Sequence, residues 1–211
     1  MANSKGPVPL RSNSRSNRAR ILAVARQQLS ENPDVAMDDI ARAAGVVRRT
    51  LYGHFPGRAA LLEALTDEGA ETLLETIRST LVPYDSPEER LARHVLTGWP
   101  VGDRYRMLLA LARRDLGDLK ITEALLPPRQ IVTETLSRGQ KAGVFSSHLP
   151  AEVLAGALEA LGLSLLEMTA QGFWNGTATD AAVASLIAAG VAPAGAVDTV
   201  RRVQAETSTQ Q

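Results

Sequence analysis

The chain has 211 residues, enough for one compact unit or two small ones that bury a core without disulfides or a structural metal. Cysteine is absent, which excludes a disulfide framework, a cysteine-based zinc finger and a thiol nucleophile. Hydrophobic residues make up 45% of the chain but aromatic residues only 4%. A core built mainly from leucine and alanine favours helices over sheets, so we expect an all-α protein.

The formal net charge of zero hides an uneven distribution of charge along the chain. Residues 1–58 contain 10 basic and 4 acidic side chains, whereas residues 59–211 contain 13 basic and 19 acidic ones. The basic front of the chain is typical of a segment that meets a polyanion, although chance clustering would give the same pattern.

Targeting signals are not evident in the sequence. Residues 1–17 are polar and lack the apolar region of a secretory signal. The longest uncharged stretch of small and apolar residues, 181–195, is shorter than the roughly 20 residues that a membrane span needs. We expect a cytoplasmic protein with no membrane contact.

The front of the chain predicts a disordered basic arm followed by short helices. Residues 1–16 are polar and lack periodicity, so we expect them to be disordered. A helical pattern begins at Asn17 and stops before Pro33. Two short helices over about 37–44 and 47–54, separated by Gly45, then precede a long one over about 58–80.

The rest of the chain predicts longer helices, giving about nine in total with no strands or internal repeats. Ser86 and Glu89 form a capping box, and the helix that follows is expected to break at Gly98-Trp99-Pro100. Thr179 is a candidate cap for the last predicted helix. The predicted helices after Ser86 cover about 87–97, 103–116, 129–142, 151–171 and 180–189.

The most informative segment, residues 38–55, follows the pattern of a helix, a tight turn and a second helix. Asp38 and Asp39 suit the first turn of a helix far better than they suit a catalytic pair. An α-helix fits the major groove of DNA, and its first residues meet the base edges. Arg48 and Arg49 occupy that position on the second helix, although ordinary solvated charges are the alternative interpretation.

This segment resembles the TetR family of bacterial transcriptional regulators, over about residues 17–62. The resemblance is carried by four pieces of sequence, namely 18–22, 39–46, Thr50-Leu51-Tyr52-Gly53-His54-Phe55, and Arg58 with Leu61-Leu62. It implies a helix-turn-helix DNA-binding domain at residues 17–60 and a helical ligand-binding and dimerisation domain at 61–206. It also implies a dimer that binds a near-palindromic operator and leaves it when a small molecule binds.

The resemblance assigns DNA contacts to individual side chains. Thr50, Tyr52 and His54 match positions that often touch DNA, and Arg58 matches a phosphate-binding position at the start of the fourth helix. Core packing is the alternative for Tyr52. The complete predicted DNA-binding set is Arg18, Arg48, Arg49, Thr50, Tyr52, His54 and Arg58.

Two residues depart from the pattern of the family. Ala36 stands where Ser or Thr usually caps the second helix, and Val47 stands where Ser commonly opens the third. Loss of a cap typically costs about 1 kcal/mol. Arg48 and Arg49 are expected to offset the lost phosphate contacts, since each carries a full charge and a forked donor.

The second half of the chain predicts a dimer interface and a ligand site. The helices at about 151–171 and 180–189 are apolar on most sides, so they need cover from a partner subunit or from the interior of the monomer. A pocket is expected mainly from the resemblance, and core packing is the alternative for its apolar candidates. The candidate ligand-binding residues are His94, Trp99, Tyr105, Met107, Leu108, Leu111, Glu134 and Leu163.

The sequence predicts no catalytic or metal site and no cofactor. It has no phosphate-binding glycine loop, no dinucleotide fingerprint and no nucleophile elbow. Its three histidines are widely spaced. A helical ligand-binding or enzymatic domain that does not bind DNA is the competing hypothesis, and an activator cannot be told from a repressor by sequence.

Overall fold

The computed structural model describes the backbone of residues 10–83 and 85–209 and the side chains of residues 14–83 and 85–206. Within these ranges the protein consists of ten helices and contains no strand. The all-α prediction is therefore confirmed for the part of the chain described. The helices are α1 (Leu10–Glu31), α2 (Met37–Ala43), α3 (Arg48–His54), α4 (Arg58–Ser79), α5 (Pro87–Leu116), α6 (Asp118–Ala124), α7 (Leu126–Lys141), α8 (Ala151–Ala170), α9 (Ala178–Ala188) and α10 (Pro193–Thr209).

The chain divides into two compact units. Unit 1 combines the described residues up to Thr66 with Met107–Lys120, and unit 2 combines Asp67–Arg106 with the residues from Ile121 onward. Unit 1 therefore contains the end of α5, which sequence reasoning assigned wholly to the second domain.

Unit 1 is organised around α1, α2 and α3, which pack on one another. Helix α1 buries a stripe at helical spacing, and α3 contributes Leu51 to the same core. Helix α1 begins at Leu10, so residues 10–16 are helical rather than disordered, while residues 1–9 of the predicted arm lie outside the described residues. The fully or almost fully buried residues of unit 1 include Ile21, Ala25, Leu29, Ile40, Leu51, Phe55, Leu61, Leu62 and Leu65.

Helix α5 corrects the prediction of a break at Gly98-Trp99-Pro100, because it runs through Pro100 without interruption. Proline removes one helical hydrogen bond and crowds the preceding turn. Burial on both sides of Pro100 offsets that cost, since His94, Val101 and Tyr105 lie on one buried stripe at helical spacing. Close packing of a continuous helix thus outweighs the local preference of proline.

Unit 2 is a bundle in which α8 packs on α7 and α9, and α9 packs on α10. Helix α9 begins at Ala178, about two residues earlier than predicted, because Thr177 rather than Thr179 forms a capping box with Asp180. Helix α10 was not predicted, although Pro193 suits its first position and Ala196, Val200 and Val203 repeat at helical spacing.

Helix α8 is long and apolar enough to cross a membrane, by length and composition alone, and is the one such helix in the described residues. The sequence predicted this helix, at about 151–171, but only residues 181–195 were considered there as a possible membrane span. Its middle carries Glu159, which forms a two-pronged ion pair with Arg129 of α7. This ion pair and the packing of α8 against two other helices are typical of a helix in a bundle.

Candidate nucleic-acid interface

The turn between α2 and α3 brings two short helices together at a fixed angle. Gly45 has a φ of +64°, the left-handed conformation that favours glycine. The Val46 amide donates to the Ala41 carbonyl at 3.0 Å, which closes the end of α2. Leu51 and Phe55 then anchor α3 in the core of unit 1, so the opposite face of α3 is left outside. The predicted helix-turn-helix is therefore present.

Helix α3 presents two arginines at its start, and one of them is held in place. Arg48 Nη1 donates to Asp38 Oδ2 at 2.8 Å, and the Arg48 guanidinium carbon lies 5.2 Å from the centroid of the Tyr52 ring. Both Arg48 and Asp38 remain substantially exposed. Asp38 thus contacts Arg48 across the turn, whereas Asp39 pairs with Arg42 on its own helix.

Arg49 is exposed, and the described residues offer it no recorded hydrogen bond or ion pair. Its guanidinium is therefore available to a group outside the chain. Thr50 and Tyr52, further along α3, are half-buried. The start of α3 therefore combines one positioned and one unengaged guanidinium.

Two further predicted residues, Arg18 and His54, lie near Phe55. The Arg18 guanidinium carbon of α1 lies 5.3 Å from the Phe55 ring centroid. The His54 ring lies 6.2 Å from the same centroid, and His54 is half-buried. Phe55 itself is buried. Arg18 is exposed, and its guanidinium lies over the Phe55 ring in a cation–π contact.

Arg58 differs from Arg48 and Arg49, because its guanidinium is bonded to three other groups of unit 1 and is mostly buried. It donates to the carbonyls of Pro33 and Val35 and forms an ion pair with Asp115 at 3.2 Å. Only 28% of the Arg58 side chain is exposed. Arg58 therefore fastens the start of α4 to the segment before α2 and to the end of α5.

The carboxylate at the end of α5 is shared between two guanidinium groups. Hydrogen bonds from Arg114, the larger contribution, and from Arg58 hold the pKa of Asp115 below its usual value. Arg114 also reaches Asp34, which precedes α2, at 3.4 Å. Sequence reasoning missed Asp115, because it lies 57 residues from Arg58 and no local pattern connects the two.

The candidate ligand-binding residues are divided between the two units. Met107, Leu108 and Leu111 belong to unit 1, whereas the other five belong to unit 2. Within unit 2, Glu134 is exposed on α7, which does not suit a buried polar anchor.

Two of the remaining candidates in unit 2 are satisfied by protein contacts. The Tyr105 hydroxyl donates to Glu68 Oε1 at 2.9 Å. The rings of Trp99 and Trp174 pack edge to face, with centroids 5.6 Å apart. Leu163 is half-buried on α8. These contacts place Tyr105 and Trp99 in the packing of unit 2.

His94 is the exception among the ligand candidates. It is buried, and neither ring nitrogen has a hydrogen-bond partner among the described residues. Burial, together with the nearby charge of Arg90, lowers the pKa of His94 to about 4. The ring is therefore neutral near pH 7 and keeps one donor and one acceptor unused.

No group of three or more side chains suited to metal binding occurs among the residues that the structure describes. The chemistry available on unit 1 is instead that of charge and hydrogen-bond donors on the exposed face of a short helix. The helix-turn-helix and its exposed arginines define a protein of the helix-turn-helix class.

Comparison with known proteins relates the N-terminal region of the chain to a protein family. The model of the N-terminal domain of bacterial regulatory proteins of the tetR family matches residues 21–65. The chain therefore resembles the TetR family over this N-terminal region. It is 36% identical over 78 residues to the HTH-type transcriptional regulator EthR of Mycobacterium tuberculosis, which covers 35% of each chain. It is 33% identical over 87 residues to the HTH-type transcriptional repressor LfrR of Mycolicibacterium smegmatis, covering 40% of this chain and 46% of that protein.

The matched region spans about a third of the length of EthR and under half of LfrR. Both relatives are named as regulators of transcription rather than as enzymes. Among solved structures, the transcriptional regulator FadR of Bacillus subtilis in complex with stearoyl-CoA superposes with a TM-score of 0.71 at 17% identity. That match covers 82% of this chain and 97% of FadR, and it shows a shared fold.

Proposed function

We propose that the protein is a transcriptional repressor that binds a palindromic operator as a dimer and leaves it when a small molecule binds. The observation that carries the proposal is the pair of exposed arginines, Arg48 and Arg49, at the start of a helix anchored in a helix-turn-helix. The resemblance to EthR and LfrR over this region supports a role in transcription. Such a protein acts in the bacterial cytoplasm, where the DNA lies.

Helix α3 enters the major groove in this proposal. Arg48 and Arg49 at its start face the base edges, where arginine pairs with guanine through two hydrogen bonds. Thr50, Tyr52 and His54 contact the DNA backbone beside it, and Arg18 adds a positive charge from α1. Arg58 does not contact DNA in this proposal. It holds the start of α4 against the segment before α2 and the end of α5.

Dimerisation uses α8 and α9. Both helices carry exposed aliphatic side chains, including Val153, Met168 and Ile187. Apolar side chains in this number on two adjacent helices favour burial against a second copy. Each half-site of a palindrome then meets one copy of α3, which sets the half-sites about one helical turn or more apart.

The effector binds inside unit 2 in this proposal. FadR, which shares this fold, was solved in complex with stearoyl-CoA, and this supports the proposal that the present chain also binds a small molecule. His94 supplies the polar anchor, because its buried ring nitrogens have no partner among the described residues. Trp99, Tyr105 and Leu163 are proposed to line the same site.

DNA binding is tested by fluorescence anisotropy with a duplex that carries the region upstream of the gene for this protein. We expect salt-sensitive binding that survives an excess of random duplex, and Arg49→Ala to weaken it more than tenfold. Binding that random DNA abolishes completely, or an unchanged affinity for Arg49→Ala, would contradict the proposal.

The dimer is tested by light scattering of the full chain. Ile187→Glu places a charge on the proposed interface and is expected to shift the protein to a monomer at micromolar concentration. Leu119→Glu is the matched control, because Leu119 is an exposed aliphatic residue of unit 1. A monomeric wild type would exclude this mode of operator binding.

A further inference from the structure

Val47, at the start of α3, is an apolar residue whose side chain is neither buried nor able to cap the helix. It is 69% exposed, although most of the large aliphatic residues of unit 1 are buried. It occupies the N-cap position with an extended backbone, and its carbonyl accepts from the Thr50 amide at 2.8 Å. Valine has no side-chain oxygen that could accept hydrogen bonds from the free amides of the first turn, so it is a poor cap.

The same chain uses good caps elsewhere. Thr177 and Asp180 form a reciprocal capping box at α9, and Ser86 and Glu89 form another at α5. A serine at position 47 would cap α3 in the same way. Valine at this position therefore gives up local stability and exposes apolar surface at once, a combination that marks a functional position.

The surroundings of Val47 indicate what its side chain meets. Arg48, the next residue, is oriented by Asp38 and Tyr52, and Arg49 follows with its guanidinium unengaged by the described residues. Two guanidinium groups beside an exposed isopropyl group call for a partner that offers hydrogen-bond acceptors and an apolar group side by side. They suit the major groove, which combines phosphates and guanine acceptors with one apolar feature, the C5 methyl group of thymine.

We propose that Val47 determines operator specificity by packing against the C5 methyl group of a thymine. The inference rests on the proposed DNA-binding function and specifies one base of the operator that the protein recognises. Because Val47 and Arg48 are consecutive, the thymine lies within a base pair or two of the guanine that Arg48 contacts. Each half-site therefore contains a thymine whose methyl group, rather than its hydrogen-bonding edge, is recognised.

The experiment begins with selection of duplexes from a random pool by the full-length protein. Each thymine of the enriched site is then replaced in turn by deoxyuridine, which removes only the C5 methyl group. We expect one position per half-site at which the replacement weakens binding about fourfold, the loss that follows from exposing one buried methyl group. Replacement in both half-sites of a dimer site should weaken binding about 15-fold.

Val47→Ser identifies the side chain responsible. Serine caps α3, so the variant should fold at least as well as the wild type, which circular dichroism and thermal melting check. It should bind thymine and deoxyuridine duplexes with equal affinity at the sensitive position. Leu119→Ser is the matched control, since Leu119 is 70% exposed but lies outside the helix-turn-helix, and it should keep the full sensitivity.

The outcomes separate the inference from the function on which it rests. Enriched duplexes that tolerate deoxyuridine at every position overturn the role of Val47 and leave DNA binding intact. Equal sensitivity in wild type and Val47→Ser assigns the methyl contact to another residue and also overturns it. Failure to enrich any duplex overturns the proposed function itself.

Discussion

Replacing Arg58 with alanine should destabilise the helix-turn-helix unit. The substitution removes hydrogen bonds to the carbonyls of Pro33 and Val35 and the ion pair to Asp115. A hydrogen bond to a charged group contributes about 1.5–3 kcal/mol. Water can reach these partly buried carbonyls, and Asp115 keeps Arg114, so the expected loss is smaller than the full sum, about 2–4 kcal/mol.

Hydrogen exchange of the full-length protein measures this effect directly. Amides of α2, α3 and the start of α4 should lose protection by about 30-fold to several hundred-fold, since each 1.4 kcal/mol is a factor of ten. Amides of α8 and α9, in unit 2, serve as the internal reference. Arg114→Ala is the control variant, because Arg114 is solvent-exposed and Asp115 retains Arg58 without it.

The salt dependence of DNA binding distinguishes a structural role of Arg58 from a direct contact between Arg58 and a DNA phosphate. A positioning residue leaves the slope of log affinity against log salt unchanged, whereas loss of one phosphate contact lowers it by about 0.9. Arg58→Ala with normal exchange protection and a slope reduced by about 0.9 would refute the structural role of Arg58 and support the role predicted from sequence.

Three further substitutions test other parts of the structure. Asp38→Asn should reduce discrimination between single-base variants of the selected site, measured by competition anisotropy, because it releases Arg48; unchanged discrimination would contradict this. Arg93→Met should lower the free energy of unfolding in urea by about 3–5 kcal/mol, because it leaves the buried Asp85 carboxylate without its partner; a loss under about 1 kcal/mol would count against it. His94 has a folded pKa near 4 against 6.5 in the unfolded chain, so the unfolded state binds its proton first and stability falls as pH decreases from 6.5 towards 4. His94→Leu should remove about 2 kcal/mol of the loss seen between pH 7 and pH 5, and parallel pH profiles would contradict the burial of a neutral ring.

The helix-turn-helix could be predicted to within about a residue because its signals are local. Gly45 requires a left-handed backbone, and the apolar residues Ile40, Leu51 and Phe55 fix which faces are buried. The same locality explains why Ala36 and Val47 were identified as the residues that begin α2 and α3. Turn geometry and helical spacing act within a few residues, so a single sequence reveals them.

Features that depend on tertiary packing were predicted less well. Pro100 indicated a helix end, but burial along the whole of α5 overrides that preference. Helix α10 begins at Pro193 after a run of small residues, and its sparse apolar stripe of Ala196, Val200 and Val203 was not recognised. Thr179 lay close enough to the start of α9 to be mistaken for the cap, although the reciprocal bond of Asp180 selects Thr177.

The candidate site shows the same division between local and distant signals. The arginines of α3 were assigned from position on a helix, which requires no knowledge of other elements. Asp38 was interpreted as an ordinary helix-start acid, because its contact with Arg48 crosses the turn. The partners of Arg58 come from the segment before α2 and from the end of α5, so sequence alone suggested an outward-facing cation.

The central claim is that the exposed face of α3 recognises base edges in the major groove. Methylation interference on the selected duplex tests this most directly, because dimethyl sulfate modifies guanine N7, which lies in the major groove and is an acceptor for arginine. We predict that methylation of at least one guanine in each half-site excludes a duplex from the bound fraction, and that Arg48→Ala reduces this exclusion. A bound fraction that contains methylated guanines at every position as often as the unbound fraction would contradict the account.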